Sequence, residues 1–155
     1  MGWREIYLRE AESYIEKEAG KIKKHSSVYE TEAWGNENQA PFLNKVLEIE
    51  TQLSAPHLME GILSIEREIG RIRTEKKWAQ RIIDIDILFF NDEIRESKML
   101  VTPHFHLHKR KFTLIPLAEI APDFVHPVFK KNVSQMLAEC DDKLEVRLFQ
   151  KINAL

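Results

Sequence analysis

Apolar positions recur along the chain with two different periods, and the switches between them mark out the elements. From Trp3 to Lys17, the residues Trp3, Ile6, Tyr7, Ala11, Tyr14 and Ile15 fall at helical spacing, with Glu, Arg and Lys on the remaining face and Gly20 as the stop. This predicts a surface helix packed on a sheet, with Trp3 facing the core. Ser26 to Thr31 reads as a strand. The segment EAWGNENQAPF carries Gly, Asn and Pro without a period, so it predicts a loop; long irregular loops in compact domains usually serve function. Phe42 to Glu50 alternates as a strand does. Phe42, Asn44 and Val46 share a face, but Leu43, Leu47 and Ile49 do not all fit the other, which predicts a bulge or burial on both sides. Ser54 then caps a helix with Pro56 in its first turn. Leu58, Ile62, Ile65 and Ile69 form its apolar stripe, and it runs to about Ile72.

The stretch from Gly70 to Asn91, GRIRTEKKWAQRIIDIDILFFN, organises the rest. Asp84 to Phe90 has the β-branched and aromatic content of a buried strand. Side chains alternate across a strand, so Asp84 and Asp86 share one face while Ile83, Ile85 and Ile87 share the other. Two neighbouring carboxylates are poorly tolerated without positive charge between them. A divalent cation supplies it, and hard carboxylate oxygens suit Mg²⁺. The loop before the strand adds Arg71, Arg73, Lys76, Lys77 and Arg81. Carboxylates for metal beside guanidinium groups for phosphate oxygens are what phosphoryl transfer requires. On spacing alone, a strand with an acidic edge and a solvated basic loop fits equally well, because D-x-D is short and common.

Beyond this stretch, Asn91-Asp92-Glu93 is turn chemistry and Met99 to Pro103 a short extended piece. Leu114 to Ile120 is apolar, but Pro116, Pro122 and Pro127 predict an irregular region. Asn132-Val133-Ser134 opens a short helix to about Cys140, and Leu144 to Phe149 alternates as a terminal strand. The order of elements, without repeat or linker, predicts an α+β sandwich with helices on one face.

With 155 residues the chain is expected to form one domain, and 43% apolar and 31% charged residues are ordinary for a soluble globular protein. The net charge of -2 offers nothing to a nucleic-acid partner, since the basic loop is local. A single cysteine, Cys140, leaves no internal disulfide and fits a cytoplasmic location. No apolar run approaches the ~20 residues of a membrane span. The first twenty residues lack the apolar stretch of a signal peptide, and Ile6 breaks the lipidation pattern that MG would open.

Several polar side chains invite chemistry. The run His104-Phe105-His106-Leu107-His108 would present three imidazoles on one strand face, which could ligate zinc, but lacks a nearby cysteine or fourth ligand; His104 with Arg110 instead suits an anion. Trp34, Phe42 and Phe112 lie in or beside irregular segments, where an aromatic serves either a core or a stacking platform. Asn44 offers a donor and an acceptor to a heterocycle edge. Neither a Walker-type loop nor a G-x-G-x-x-G turn is present.

Taken together, R-I-I-D-I-D-I-L-F-F-N, V-T-P-H-F and H-K-R-K-F-T-L-I-P-L-A-E-I-A-P closely resemble the 6-hydroxymethyl-7,8-dihydropterin pyrophosphokinases of folate biosynthesis. The upstream pieces F-L-N and I-E-x-x-x-G-R-x-R match as well, so the resemblance covers about Tyr29 to Pro127. It implies a single pyrophosphokinase domain with a ferredoxin-like α/β sandwich. The family opens on a strand ending in G-S-N-x-G-D, whereas Met1-Gly2-Trp3 stands where x-G-D should be; the resemblance therefore predicts a sheet lacking its first, central strand.

The activity it implies is transfer of pyrophosphate from ATP to the pterin, giving AMP. Asp84 and Asp86 resemble the ligands of two Mg²⁺ ions, and Arg71 and Arg81 the arginines that hold phosphate during transfer. Arg73 and Lys77 stand in supporting basic positions, Trp78 in the loop that closes over ATP, and His104 and Arg110 at further ATP contacts. Asn44 resembles the residue reading the pterin edge, with Phe42 and Phe112 sandwiching its ring. Phe42 stands where the family often has Tyr, and Thr31 and Trp34 where backbone groups meet the pterin. The expected partners are small molecules only, without nucleic acid or membrane, and the expected state is a monomer or weak homodimer in the cytoplasm. Two other readings are a metal-dependent nucleotide-sugar transferase using D-x-D and a binding-only ferredoxin-like module.

Overall fold

The computed structural model describes residues 2–32, 41–74 and 83–149. In chain order its elements are α1 (Trp3–Glu18), β1 (Lys21–His25), β2 (Tyr29–Thr31), β3 (Phe42–Asn44), β4 (Leu47–Glu50), α2 (Ala55–Thr74), β5 (Arg95–Glu96), β6 (Val101–Thr102), α3 (Lys111–Ile120), α4 (Val133–Glu139) and β7 (Val146–Leu148), with a 3-10 turn over Leu107–Lys109. This is a mixed helical and strand chain with small sheets and, among the described residues, four α-helices. None of them is long and apolar enough to cross a membrane. The chain forms two compact units, Met1–Lys23 with Ile49–His104, and Lys24–Glu48 with Phe105–Leu155. β1 and β4 form a two-stranded sheet.

In the first unit α1 packs on α2. The stripe expected of α2 is the one it buries, since Leu58, Ile62, Ile65 and Ile69 are all core residues, joined by Ala11, Ile15 and Ala19 of α1. Ser54 caps α2 as its position predicts, its Oγ accepting the His57 N–H at 3.3 Å. At the end of α1 the N–H groups of Ala19 and Gly20 both donate to the Ile15 carbonyl, at 2.9 and 3.0 Å. Gly20 is required there by close approach, because a Cβ would run into the Glu50 carbonyl. Trp3 is not a core residue. It is 45% exposed and stacks on Tyr7 with ring centroids 6.0 Å apart, because α1 turns Ala11 and Ile15 inward instead.

The second unit is built on an antiparallel sheet in the order β3-β2-β7, with Thr31 opposite Phe42 on one side and Val146 on the other. α3 packs on β2, β3 and α4. Leu107, Leu114, Leu117, Val133 and Met136 form its core. The irregular region expected after Leu114 is instead the helix α3, with Pro116 inside it. A proline there removes one backbone donor, and burial of Leu114, Pro116 and Leu117 outweighs that loss. The single strand expected over Phe42 to Glu50 is broken at Lys45-Val46, where Ser26 engages both backbone groups of Val46: its N–H donates to the carbonyl and its Oγ accepts the N–H, each at 2.9 Å. Similarly, the strand expected from Ser26 to Thr31 resolves into β1 before Ser26 and β2 after Val28.

Candidate active site

In the first unit, the acidic segment alternates in burial as its pattern predicts. Asp84 and Asp86 are exposed, Ile85 is half-buried and Ile87 is buried. Residues 83–89 do not, however, form the expected strand. A strand needs a neighbour in register, and the backbone here has other partners: the Ile85 N–H donates to Glu66 Oε2 at 2.7 Å, and the Leu88 carbonyl accepts the His104 N–H at 2.8 Å. Both contacts hold the segment so that its isoleucines point in and its aspartates out. The second contact also brings His104 to the acidic pair, with Nε2 3.9 Å from Asp86 Oδ1, an ion pair when the imidazole is protonated. Arg71, exposed in the last turns of α2, donates to Glu68 Oε1 at 2.7 Å. That hydrogen bond, reinforced by the guanidinium charge, holds the Glu68 carboxyl below the usual carboxylate range.

Asp84 and Asp86 thus offer exposed oxygen donors of the hard kind that Mg²⁺ prefers. Among the described residues no three His, Cys, Asp or Glu side chains gather as a ligand set. A carboxylate pair is nevertheless a fitting Mg²⁺ donor set, since that ion keeps much of its octahedral shell for water and phosphate oxygens. The histidine run does not present three imidazoles on a strand face. Leu107–Lys109 is a 3-10 turn, and His108 packs edge-on against Phe129 at 4.7 Å between ring centroids.

In the second unit, β2 and β3 bring three of the expected residues together. Phe42 lies opposite Thr31 and is 48% exposed, open to a planar ligand. Asn44, two residues along β3, donates from Nδ2 to the buried Thr31 Oγ1 at 3.0 Å. This fixes the amide plane. At the start of α3 the Arg110 guanidinium lies 5.5 Å from the Phe112 ring centroid, a cation–π pair. The Lys111 N–H between them donates to Asp142 Oδ2 at 3.0 Å.

Near its far end, α3 is tied to β2 through Glu119, whose carboxylate accepts the Tyr29 hydroxyl at 2.6 Å and the Ser27 N–H at 2.8 Å. The hydrogen bond to Glu119, followed by burial, pushes the Tyr29 phenol up to about 12. Burial works upward on Glu119, but the hydrogen bonds from Tyr29 and Ser27 outweigh it and hold the carboxyl below its usual range.

Trp34, Lys77, Trp78 and Arg81, and the side chain of Arg73, lie outside the described residues. Sequence reasoning did not anticipate the supporting roles of Glu66, Glu119 and Asp142. Glu66 and Glu119 stand inside the I-E-x-x-x-G-R-x-R and P-L-x-E-I-x-P segments, so a signal existed for them; Asp142 had none.

The model of the 7,8-dihydro-6-hydroxymethylpterin-pyrophosphokinase (HPPK) family matches residues 1–122. The chain belongs to this family. Among HPPK relatives, a 2-amino-4-hydroxy-6-hydroxymethyldihydropteridine pyrophosphokinase of Aquifex aeolicus (strain VF5) is 42% identical over 139 residues, which cover 90% of this chain and 86% of the relative. A protein of the same name from Bacillus subtilis (strain 168) is 46% identical over 121 residues, 77% of this chain and 72% of the relative. The folic acid synthesis protein fol1 of Schizosaccharomyces pombe is 41% identical over 131 residues, 83% of this chain but only 17% of that protein. The HPPK match includes Thr31, Phe42, Asn44, Asp84, Asp86, His104, Arg110 and Phe112, and stops short of Asp142.

Proposed function

We propose that the chain transfers pyrophosphate from ATP to 6-hydroxymethyl-7,8-dihydropterin, releasing AMP and the pterin diphosphate in folate biosynthesis. The observation that carries this reading is the HPPK match over residues 1–122, supported by relatives named as pyrophosphokinases. In this reading the chain is one catalytic domain of ferredoxin-like type. It acts on small molecules in the cytoplasm, as a monomer or weak homodimer, without nucleic acid or membrane.

Asp84 and Asp86 would hold two Mg²⁺ ions, which would supply positive charge against the negative ATP triphosphate. The outward setting of both carboxylates supports this assignment. Arg71 exchanges Glu68 for phosphate oxygens, and Arg81, Arg73 and Lys77 add cations where charge spreads during transfer. Trp78 belongs to the segment that covers ATP, while His104 and Arg110 bind its remaining polar groups. Phe42 and Phe112 flank the pterin ring, and Thr31 and Trp34 meet it through the backbone. Asn44 reads the heterocycle edge, its amide already oriented by Thr31 Oγ1.

The test is incubation with ATP, Mg²⁺ and the hydroxymethylpterin, following AMP against ADP. Formation of AMP with the pterin diphosphate is expected, and it should vanish in Asp84→Ala and in Asp86→Ala while circular dichroism is unchanged. ADP as the product would overturn the reaction, and wild-type turnover in either variant would overturn the metal assignment.

A further inference from the structure

Asp142 lies in the irregular stretch between α4 and β7, 31 residues along the chain from the backbone group it holds. Both of its carboxylate oxygens are engaged. Oδ1 accepts the N–H of Leu144 at 3.0 Å, the local turn that Asp makes with the backbone two residues on. That turn aims the other oxygen, Oδ2, at the Lys111 N–H, also at 3.0 Å. Lys111 opens α3, so its N–H is one of the donors a helix leaves without an internal partner, at the end where the helix dipole favours an anion.

The first turn of α3 needs such support more than most. Pro116 has no N–H to give the Phe112 carbonyl, so this turn is one internal hydrogen bond short. The Arg110 carbonyl accepts from both Thr113 and Leu114 at 3.0 Å. The rest of α3 is secured independently, by the burial of Leu114, Pro116 and Leu117 and by the tie from Glu119 to β2. Loosening at Lys111 therefore leaves the helix in place and frees only its opening turn. That turn carries Arg110 on one side of Lys111 and Phe112 on the other, with the guanidinium over the ring.

We propose that Asp142 is a positioning residue, which sets Arg110 and Phe112 for ligand by holding the backbone N–H between them. This rests on the reading that Arg110 contacts ATP and Phe112 the pterin. It also places a functional residue outside the family match, in a segment where the sequence shows no motif.

Two substitutions separate positioning from simple stabilisation. Asp142→Ser keeps one oxygen for the local turn to Leu144 and loses the reach to Lys111. Asp142→Asn keeps an amide oxygen able to accept. Dissociation constants for the hydroxymethylpterin and for a nonhydrolysable ATP analogue with Mg²⁺ are measured by fluorescence and calorimetry, well below the melting temperature of each variant. Phe112→Ala and Arg110→Ala run alongside. Asp142→Ser should weaken both ligands about tenfold, the scale of a lost charge-assisted hydrogen bond, with Asp142→Asn recovering part of the loss. A lowered melting temperature with both constants at wild-type values would overturn the proposal, as would identical effects of Ser and Asn. If Phe112→Ala and Arg110→Ala leave the constants unchanged, the ligand-contact reading fails and the proposal with it. If they weaken binding while Asp142→Ser does not, the role of Asp142 alone fails.

Discussion

Glu66 offers the sharpest check on how the acidic segment is held. It lies on α2 beside the fully buried Ile65, and its carboxylate accepts the Ile85 N–H at 2.7 Å, midway between Asp84 and Asp86. A hydrogen bond to a charged group contributes roughly 1.5–3 kcal/mol to stability, and this one is part-buried, so the lower end applies, about 1.5 kcal/mol. Such a loss corresponds to about a tenfold change in an opening equilibrium. Residues 83–89 have no strand ladder to share the load, so the loss should fall locally. In Glu66→Ala, hydrogen exchange at the Ile85 amide should accelerate about tenfold while that at core amides of α2 such as Ile62 rises less. Glu66→Gln, which keeps a neutral acceptor, should fall between the two. Unchanged exchange at Ile85 in Glu66→Ala would refute the reasoning, and so would a uniform rise across the unit.

Further outcomes follow from the core and from the titrating groups. Ile65→Ala should lower stability by about 2–5 kcal/mol, read from the urea midpoint, because its site is fully buried. His126 is buried, its Nδ1 accepts the N–H groups of Val128 and Phe129 at 3.1 Å each, and burial followed by the neighbouring His108 holds its imidazole below the usual range. The unfolded chain therefore takes up this proton first. Stability should be full above about pH 6.5 and fall as pH drops below it, a slope in melting temperature that His126→Leu should flatten. The Tyr29 phenol, held up to about 12 by Glu119, contributes stability that is complete below about pH 10 and is lost as pH rises toward its folded value. Its phenolate absorbance should accordingly appear late, and earlier in Glu119→Gln.

Much of the molecule was legible as pattern. The 3.6-residue period of Leu58, Ile62, Ile65 and Ile69 named the buried face of α2, Ser54 and Asn132 marked helix starts, and period two placed Asp84 and Asp86 on the exposed side. These are local properties: a cap or an apolar stripe acts within a turn or two of its own position. The likeness of the motifs also pointed to the family to which the chain belongs.

What pattern did not reveal depends on partners distant in sequence. Pro116 argued against a helix, yet burial in the second unit supplies α3 with enough apolar contact to keep it. The acidic segment reads as a strand, but strand pairing is decided by which neighbour lies alongside, and here the backbone partners are a glutamate of α2 and the His104 N–H. Lys45-Val46 breaks an apparently continuous strand because Ser26, 20 residues away, satisfies both backbone groups of Val46. Asp142 is an unremarked acidic residue until the fold sets it against Lys111. Sequence by itself marked out which side chains are candidates for phosphate, metal and a flat ring. Tertiary structure alone decided which backbone groups hold them, because a lone N–H donates to whichever carboxylate folding brings within 3 Å.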